Sequence, residues 1–324
     1  KFDVLCSASI ETVRWNKLPP EAEVWKIEGE GKLEYEQGIS IVELFEKNTT
    51  GIVTMGDAFI VDEHKVKLVN RVNDFLENSI QDFDLQTKYG LGKNYAKWIV
   101  DNKNSIQNDT SKVVPFAYRP FDIRYTYFDN KLVWRPRTNV MKHFILGDNV
   151  GLVFRRQQPT DKDFYIFSSK FVISDGFIRS DNKGSESIAP LYLYENGDKV
   201  PNLNKEIVKK IEDVVGQLTP EDLFDYVYVI LHSPAYRTKY GEFLKNDFPR
   251  VPYPSNKKDF WKLVPLGARL RNLHLLVAPE VSLSNTSFPV AGSDIVASPI
   301  FKNQRIYIND EQYWEGVSEQ VWNF

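Results

Sequence analysis

Three textures of apolar and polar positions follow one another along the chain. The first mixes short β-like runs (FDVLCSASI, AEVWKIEG, KLEYEQ) with turn-rich joints. SIVELFEKNTTGIVTMGDAFIVD then reads as a short helix followed by an apolar strand pair. In EHKVKLVNRVNDFLE, residues 63–77, Val66, Val69, Val72 and Leu76 recur at helical spacing and predict one apolar face. A further helix is predicted near residues 95–100, so that residues 51–110 form a mostly helical bridge.

The second texture, from Val113 to Tyr194, is β. VVPFAYRPFDIRYTYFD, KLVWRPR, VGLVF, DFYIFSS, KFVISD and APLYLY are aromatic and β-branched, and Asn, Asp and Gly turns separate them. Tyr118, Phe121, Tyr125, Tyr127 and Phe128 recur at strand spacing; they are expected in the core, with base stacking as the lesser reading.

The third texture is helical. In NKEIVKKIEDVVG, Asn204 is a candidate N-cap, Ile207, Ile211, Val214 and Val215 form a stripe, and Gly216 ends the helix. Thr219-Pro220-Glu221 and Ser233-Pro234 are helix-start signals. FPRVPYP is extended, and Ser255 is expected to open a helix that runs to Leu276 with a kink at Pro265. From Phe288 the tail is strand-like again, through EQVWNF. The fold class predicted is α+β: a β-rich core with a helical bridge before it and a helical C-terminal part behind it.

Composition narrows the function classes. The chain has 324 residues, 42% hydrophobic and 14% aromatic, as in a packed globular protein of about two domains. No apolar run approaches the roughly 18 residues that span a bilayer, so no membrane partner is expected. A single cysteine, Cys6, excludes an internal disulfide and fits a reducing, cytoplasmic compartment. With four scattered histidines it also argues against a Cys/His zinc site. The chain opens at Lys1 and its methionines are Met55 and Met141, which suggests a piece excised from a longer protein.

Net charge is −3, yet residues 111–190 hold 13 Lys and Arg against 8 Asp and Glu. A basic centre in an acidic frame permits a partner with phosphates without demanding one. Catalytic motifs are missing: there is no nucleophile elbow, phosphate loop, dinucleotide fingerprint or His-Glu-x-x-His. Leu18-Pro19-Pro20-Glu21 lacks the Asn and the aromatic of an amino-methyltransferase loop and reads as a turn. The carboxylate pairs Asp161/Asp163 and Asp181/Glu186 read as solvated loop charge, and His232 as a packing and capping residue.

What the centre offers is long hydrogen-bonding side chains. GLVFRRQQ ends an apolar strand with Arg155, Arg156, Gln157 and Gln158. Arginine can grip guanine O6 and N7 with two bonds, and glutamine can grip adenine N6 and N7. Strand alternation would send Arg155 and Gln157 to one face, Arg156 and Gln158 to the other. VWRPRTNVMKH adds Arg135, Arg137, Asn139, Lys142 and His143, and SDGFIRSDNKGS adds Asp175, Arg179, Asn182 and Lys183. The plainer reading, polar strand ends with scattered ion pairs, carries equal weight on these residues alone.

Several stretches together resemble the C-terminal specificity domain of type ISP restriction–modification enzymes, from about Ile41 to Phe324. They are NTTGIVTMGDAFIVD with RVNDFL, YRPFDIRYTYF, VWRPRTNVMKHF, GLVFRRQQ, FVISDGFI, IAPLYLY, LGARLRNLHLL, EQVWNF and, most specific, HSPAYRTKYGEFLKNDFPRVPYP. Related single-chain type IIG enzymes share this logic. The resemblance implies a tail of the methyltransferase domain in residues 1–50, the helical bridge in 51–110 and a target recognition domain in 111–324. That domain would be truncated at its C-terminus, because family members continue past VWNF.

The implied role is recognition of double-stranded DNA by a polypeptide that methylates adenine N6 and cleaves unmodified DNA. Its methyltransferase, nuclease and, often, ATP-driven translocase domains would be the partners. S-adenosylmethionine, Mg2+ and, where a translocase is present, ATP would serve that parent enzyme; no cofactor and no catalytic residue is assigned to this chain. The resemblance singles out Arg156 and Gln157, which agrees with alternation only if the strand breaks there, and Pro159 gives it a reason to. Two alternatives stand beside this reading: a metal-dependent nuclease using Asp175 and neighbouring acids, and a protein-docking module.

Overall fold

The computed structural model describes residues 31–157, 166–178, 185–283 and 286–323. The runs FDVLCSASI and AEVWKIEG and the Leu18–Glu21 turn lie outside them. Strands β1 (Ile39–Ser40), β2 (Thr49–Thr50), β3 (Val61–Asp62), β4 (Val113–Arg119) and β5 (Asp122–Tyr127) are followed by β6 (Gly151–Phe154), β7 (Phe167–Ser169), β8 (Val172–Ile173) and β9 (Ser187–Pro190). Eight of them, β2 to β9, form two four-stranded sheets, ordered β2-β9-β6-β7 and β3-β5-β4-β8. The first is antiparallel throughout, and in the second only the β4–β8 pair is parallel. Helices Lys65–Glu77, Asp82–Tyr89 and Lys93–Asn102 lie between β3 and β4. A hairpin, β10 (Tyr192–Glu195) and β11 (Asp198–Pro201), leads into helices Lys205–Val215, Pro220–His232, Pro234–Leu244 and Lys257–His274. Between the last two, β12 (Arg250–Val251) pairs back with β1. A meander of β13 (Ile300–Lys302), β14 (Arg305–Tyr307) and β15 (Tyr313–Glu315) follows, and a helical turn, Glu319–Trp322, closes the described chain. The architecture is α+β.

Two apolar cores share one sheet. Leu152 and Phe154 point into a core built with Tyr35, Ile41, Leu44 and the C-terminal helices. Val153, between them, points into a second core with Phe59, Leu68, Phe75, Tyr95 and Phe116. The two-residue period of a strand is the cause: successive side chains of β6 leave on opposite faces. The helices of residues 65–102 therefore pack in the same core as β4 and β5.

Local signals set most helix starts. Asn204 accepts from the N–H groups of Glu206 and Ile207, and Thr219 with Asp222 makes a reciprocal capping box before Pro220. Ser233 caps the helix that begins at Pro234. Gly216 ends its helix at φ 86°, a backbone conformation that a side chain disfavours. At Gly267 the helices Pro220–His232 and Lys257–His274 touch: a Cβ there would lie 1.9 Å from the Asp225 carbonyl oxygen. Beside that contact, Arg271 donates to both oxygens of the Asp225 carboxylate at 2.6 and 3.0 Å.

Six expectations need correction. KLEYEQ is helical, because buried Tyr35 packs on Tyr240 and Phe243, which a turn of helix allows. Asp57–Ile60 is a turn of helix where a strand pair was expected, with Thr54 Oγ1 bonded to the Asp57 carboxylate at its start. In Lys65–Glu77, Leu68, Val72 and Phe75 are buried and Val69 and Leu76 pack beside them, but Val66 is 70% exposed, since it lies about half a turn from Leu68. KLVWRPR forms a turn that Asp129 closes by accepting from Lys131 N–H, followed by Arg137 at φ 52°; only Arg135 bridges, to Val53. Asn256, not Ser255, caps the last long helix, which ends at His274 and holds Pro265 inside it. Finally, EQVW is a helical turn, because the Ser318 side chain accepts from Val321 N–H.

Candidate nucleic-acid interface

The β2-β9-β6-β7 sheet has one end where three of the predicted stretches converge. Phe154, the last residue of β6, pairs with Ser187, the first of β9, while Thr50 ends β2 opposite the same Ser187. Arg155, Glu186 and Gly51 therefore leave the sheet side by side. Gly51 N–H donates to the Glu186 carbonyl at 3.0 Å. The chain then runs past Ser174 and Asp175 on one side, with Ile52 O accepting from Asp175 N–H at 2.9 Å. On the other side Val53 and Arg135 exchange both backbone bonds, at 3.0 and 3.2 Å. A Cβ on Gly51 would sit 2.2 Å from the Ser174 carbonyl oxygen, so this convergence requires glycine.

The four-residue polar stretch divides at its first member. β6 stops at Phe154; Arg155 is buried, whereas Arg156 and Gln157 are both exposed. Thus the strand breaks where Arg156 and Gln157 can both face outward. Arg155 turns inward to Glu186, 3.3 Å away, and the Glu186 carboxylate also accepts from Ile178 N–H at 3.2 Å. Glu186 is fully buried, not solvated loop charge, and burial pushes its pKa up despite the guanidinium beside it. Arg156 Nε donates to Asp247 at 3.1 Å, and Gln157 Nε2 donates to the Asn246 carbonyl at 3.3 Å.

A second group lies beyond the opposite end of β2. Asn139 and Lys142, on and just after the helix Thr138–Met141, face Glu46, Lys47 and Asn48 across a cleft of about 390 Å3. Asn139 is exposed, Lys142 half-buried, and Lys47 is paired with Glu195. His143 does not join them at the surface. Its ring is fully buried, Nδ1 accepts from Tyr194 N–H at 2.9 Å, and burial, with Lys142 and Lys47 adding to it, lowers its pKa. Arg137 is half-buried. Gln158, Arg179, Asn182 and Lys183 lie outside the described residues.

So Arg155, Arg156 and Gln157 leave the end of β6, Asp175 and Arg135 are tied by backbone bonds to Ile52 and Val53 just beyond β2, and Asn139 and Lys142 border the other cleft. The inward turns of Arg155 and His143 correct the expectation that they face a groove; each fills a buried polar position instead. Lys47, Asn48, Asn246 and Asp247 were missed. Only the Asn246-Asp247 pair had a signal, since it lies within KNDFPR of the most specific stretch. Away from this surface, His232 is half-buried and accepts from Arg237 at 2.9 Å, consistent with a packing role. Among the described residues no three His, Cys, Asp or Glu side chains come together as a metal site, and no helix is long and apolar enough to cross a membrane.

Residues 43–324 match the Type ISP C-terminal specificity domain, and the chain belongs to that family. Three solved structures share its fold. One is a cryo-electron microscopy structure of a DrdV–DNA complex, 19% identical, with TM-score 0.70, covering 98% of this chain and 35% of that one. Another is a nuclease-deletion mutant of the Type ISP restriction–modification enzyme LlaGI with a DNA substrate mimic (20% identity, TM-score 0.62, 89% and 28%). The third is the ATP-dependent Type ISP enzyme LlaBIII bound to DNA (17%, 0.62, 90% and 20%). The chain thus spans about a third or less of the length of these proteins. No curated protein matches it.

Proposed function

We propose that this chain is the DNA-reading part of a larger restriction–modification polypeptide, and that it recognises a specific duplex sequence. One observation carries the reading: Arg156 and Gln157, the side chains suited to guanine and adenine edges, are both exposed just beyond the end of β6, held there by Asp247 and Asn246. Arg135 and the Lys47–Lys142 cleft would hold phosphates, which position the duplex without reading it. The cleft and the sheet end are separated by β2 and its flanks, so a duplex spanning both would be held in one register. Arg155, Asp175 and His143 would support this surface from within and at its edge. The domains proposed are a methyltransferase tail in residues 1–50, a bridge in 51–110 and the recognition domain in 111–324.

Recognition would deliver the target adenine for flipping into a methyltransferase pocket elsewhere in the polypeptide. S-adenosylmethionine, Mg2+ and, with a translocase, ATP would act on those other domains, in the cytoplasm. The test is methylome sequencing of cells that make the full polypeptide, before and after residues 111–190 are exchanged for those of a relative. The modified adenine motif should change with the exchange. An unchanged motif would sink the proposal.

A further inference from the structure

Arg156 and Gln157 are both held by one loop far along the chain. Asp247 Oδ1 accepts from Arg156 Nε at 3.1 Å, and the same oxygen accepts from Phe248 N–H at 2.9 Å. The Asn246 carbonyl accepts from Gln157 Nε2 at 3.3 Å. The loop is itself anchored. Asn246 N–H donates to the Phe243 carbonyl at 3.0 Å, and the Asn246 side chain donates to the Glu242 carbonyl at 2.8 Å, closing the end of the helix Pro234–Leu244. On the other flank the Phe248 ring packs edge-on against Phe154, the last residue of β6, with centroids 5.8 Å apart.

Resting on the reading of Arg156 and Gln157 as base readers, we infer that Asp247 and Asn246 are specificity-determining positioning residues that set the two side chains in their reading geometry. The chemistry lies in which donors they occupy. Asp247 takes only the Nε hydrogen of Arg156, and the Nη1 and Nη2 edge has no partner among the described residues. That edge supplies the two parallel donors that guanine O6 and N7 accept. Asn246 takes one hydrogen of the Gln157 amide nitrogen and leaves the other with Oε1, the donor and acceptor pair that matches adenine N7 and N6.

As a surface ion pair the Arg156–Asp247 contact adds little stability, because both side chains are about two-thirds exposed. Its effect falls on the free rotations of a long side chain, which binding would otherwise have to freeze. The Asn246-Asp247 pair within KNDFPR thereby acquires a role in recognition beside its place in the fold.

The test uses the full polypeptide and its own motif, once methylome sequencing has defined that motif. Binding is measured to the motif, to every single-base-pair variant of it and to unrelated duplex. Arg156→Ala should lose about 5- to 150-fold of discrimination at one base pair. Asp247→Ala should lose about 2- to 12-fold at that same base pair, with binding to unrelated duplex unchanged. Asp247→Asn, which can still accept from both N–H groups, should keep most of the discrimination. In the Arg156→Ala background, Asp247→Ala should have no further effect, an outcome that a role in folding would not produce.

If Arg156→Ala relaxes one position and Asp247→Ala does not, the positioning role is wrong and the reading of Arg156 stands. If Asp247→Ala changes affinity for all duplexes alike, it acts on phosphate approach or folding, and the inference also falls. If neither variant relaxes any position, Arg156 does not read bases, and both ideas fall together.

Discussion

The Arg155 guanidinium lies 3.3 Å from the Glu186 carboxylate, and both side chains are almost wholly withdrawn from water. The two residues are the first beyond β6 and the last before β9, so one ion pair ties the roots of two chain segments that leave the same sheet end. Removing Arg155 leaves the Glu186 carboxylate buried without its counter-charge. Arg155→Met should cost about 3–5 kcal/mol, read as the shift in urea-unfolding free energy. Arg155→Met with Glu186→Met should recover most of the loss, because no lone charge remains. A single variant as stable as the unaltered protein would show the pair to be energetically silent.

Gly51→Ala tests the convergence itself. Its new Cβ would meet the Ser174 backbone at 2.2 Å, and backbone cannot rotate aside as a side chain can. A loss of about 1–3 kcal/mol is expected from overpacking of this kind, with weaker DNA binding because the Ser174–Asp175 strip must move relative to Arg135. A change in unfolding midpoint too small to measure would contradict the close packing.

Lys47 and Lys142 border the second cleft. If each neutralises one phosphate, Lys47→Gln and Lys142→Gln should each reduce the slope of log affinity against log salt by about 0.9. Discrimination among base pairs should stay unchanged. An unaltered salt slope in the double variant would remove the cleft from the interface.

Stability should fall in mild acid because of His232. Burial, reinforced by Arg237 and His274, lowers its pKa to about 3, whereas the unfolded chain titrates it near its ordinary value of 6.5. A depressed native pKa means stability is complete above the unfolded value and is lost as pH falls towards the native one. By pH 5 the loss from this group is about 2 kcal/mol. His274 shifts in the same direction through burial and Arg237. His232→Gln should flatten the dependence of melting temperature on pH between 7 and 5; an unchanged profile would assign the effect elsewhere.

Much of this protein was local and therefore legible. Asn204, Thr219, Ser233 and Gly216 mark helix ends because capping bonds close within four residues, whatever the rest of the chain does. VVPFAYR and DIRYTY read as strands because β-branched and aromatic side chains suit a pleated sheet surface. Resemblance across HSPAYRTKYGEFLKNDFPRVPYP led to the family. Even the break after GLVF had a local sign, in Pro159.

What the sequence alone determined was a set of elements and a vocabulary of side chains suited to base edges and phosphates. Which of those face water was decided only in three dimensions. Arg155 and Arg156 are neighbours of one chemical type, yet one is buried against Glu186 and the other is exposed beside Asp247. Their partners lie 31 and 91 residues away, so no local spacing encodes them. His143 was withdrawn in the same way by Tyr194 N–H, and KLVWRPR became a turn through Asp129. The physical reason is common to all of these. A polar side chain takes its role from whatever donor, acceptor or charge the fold brings within about 3 Å, and long-range packing decides what that is.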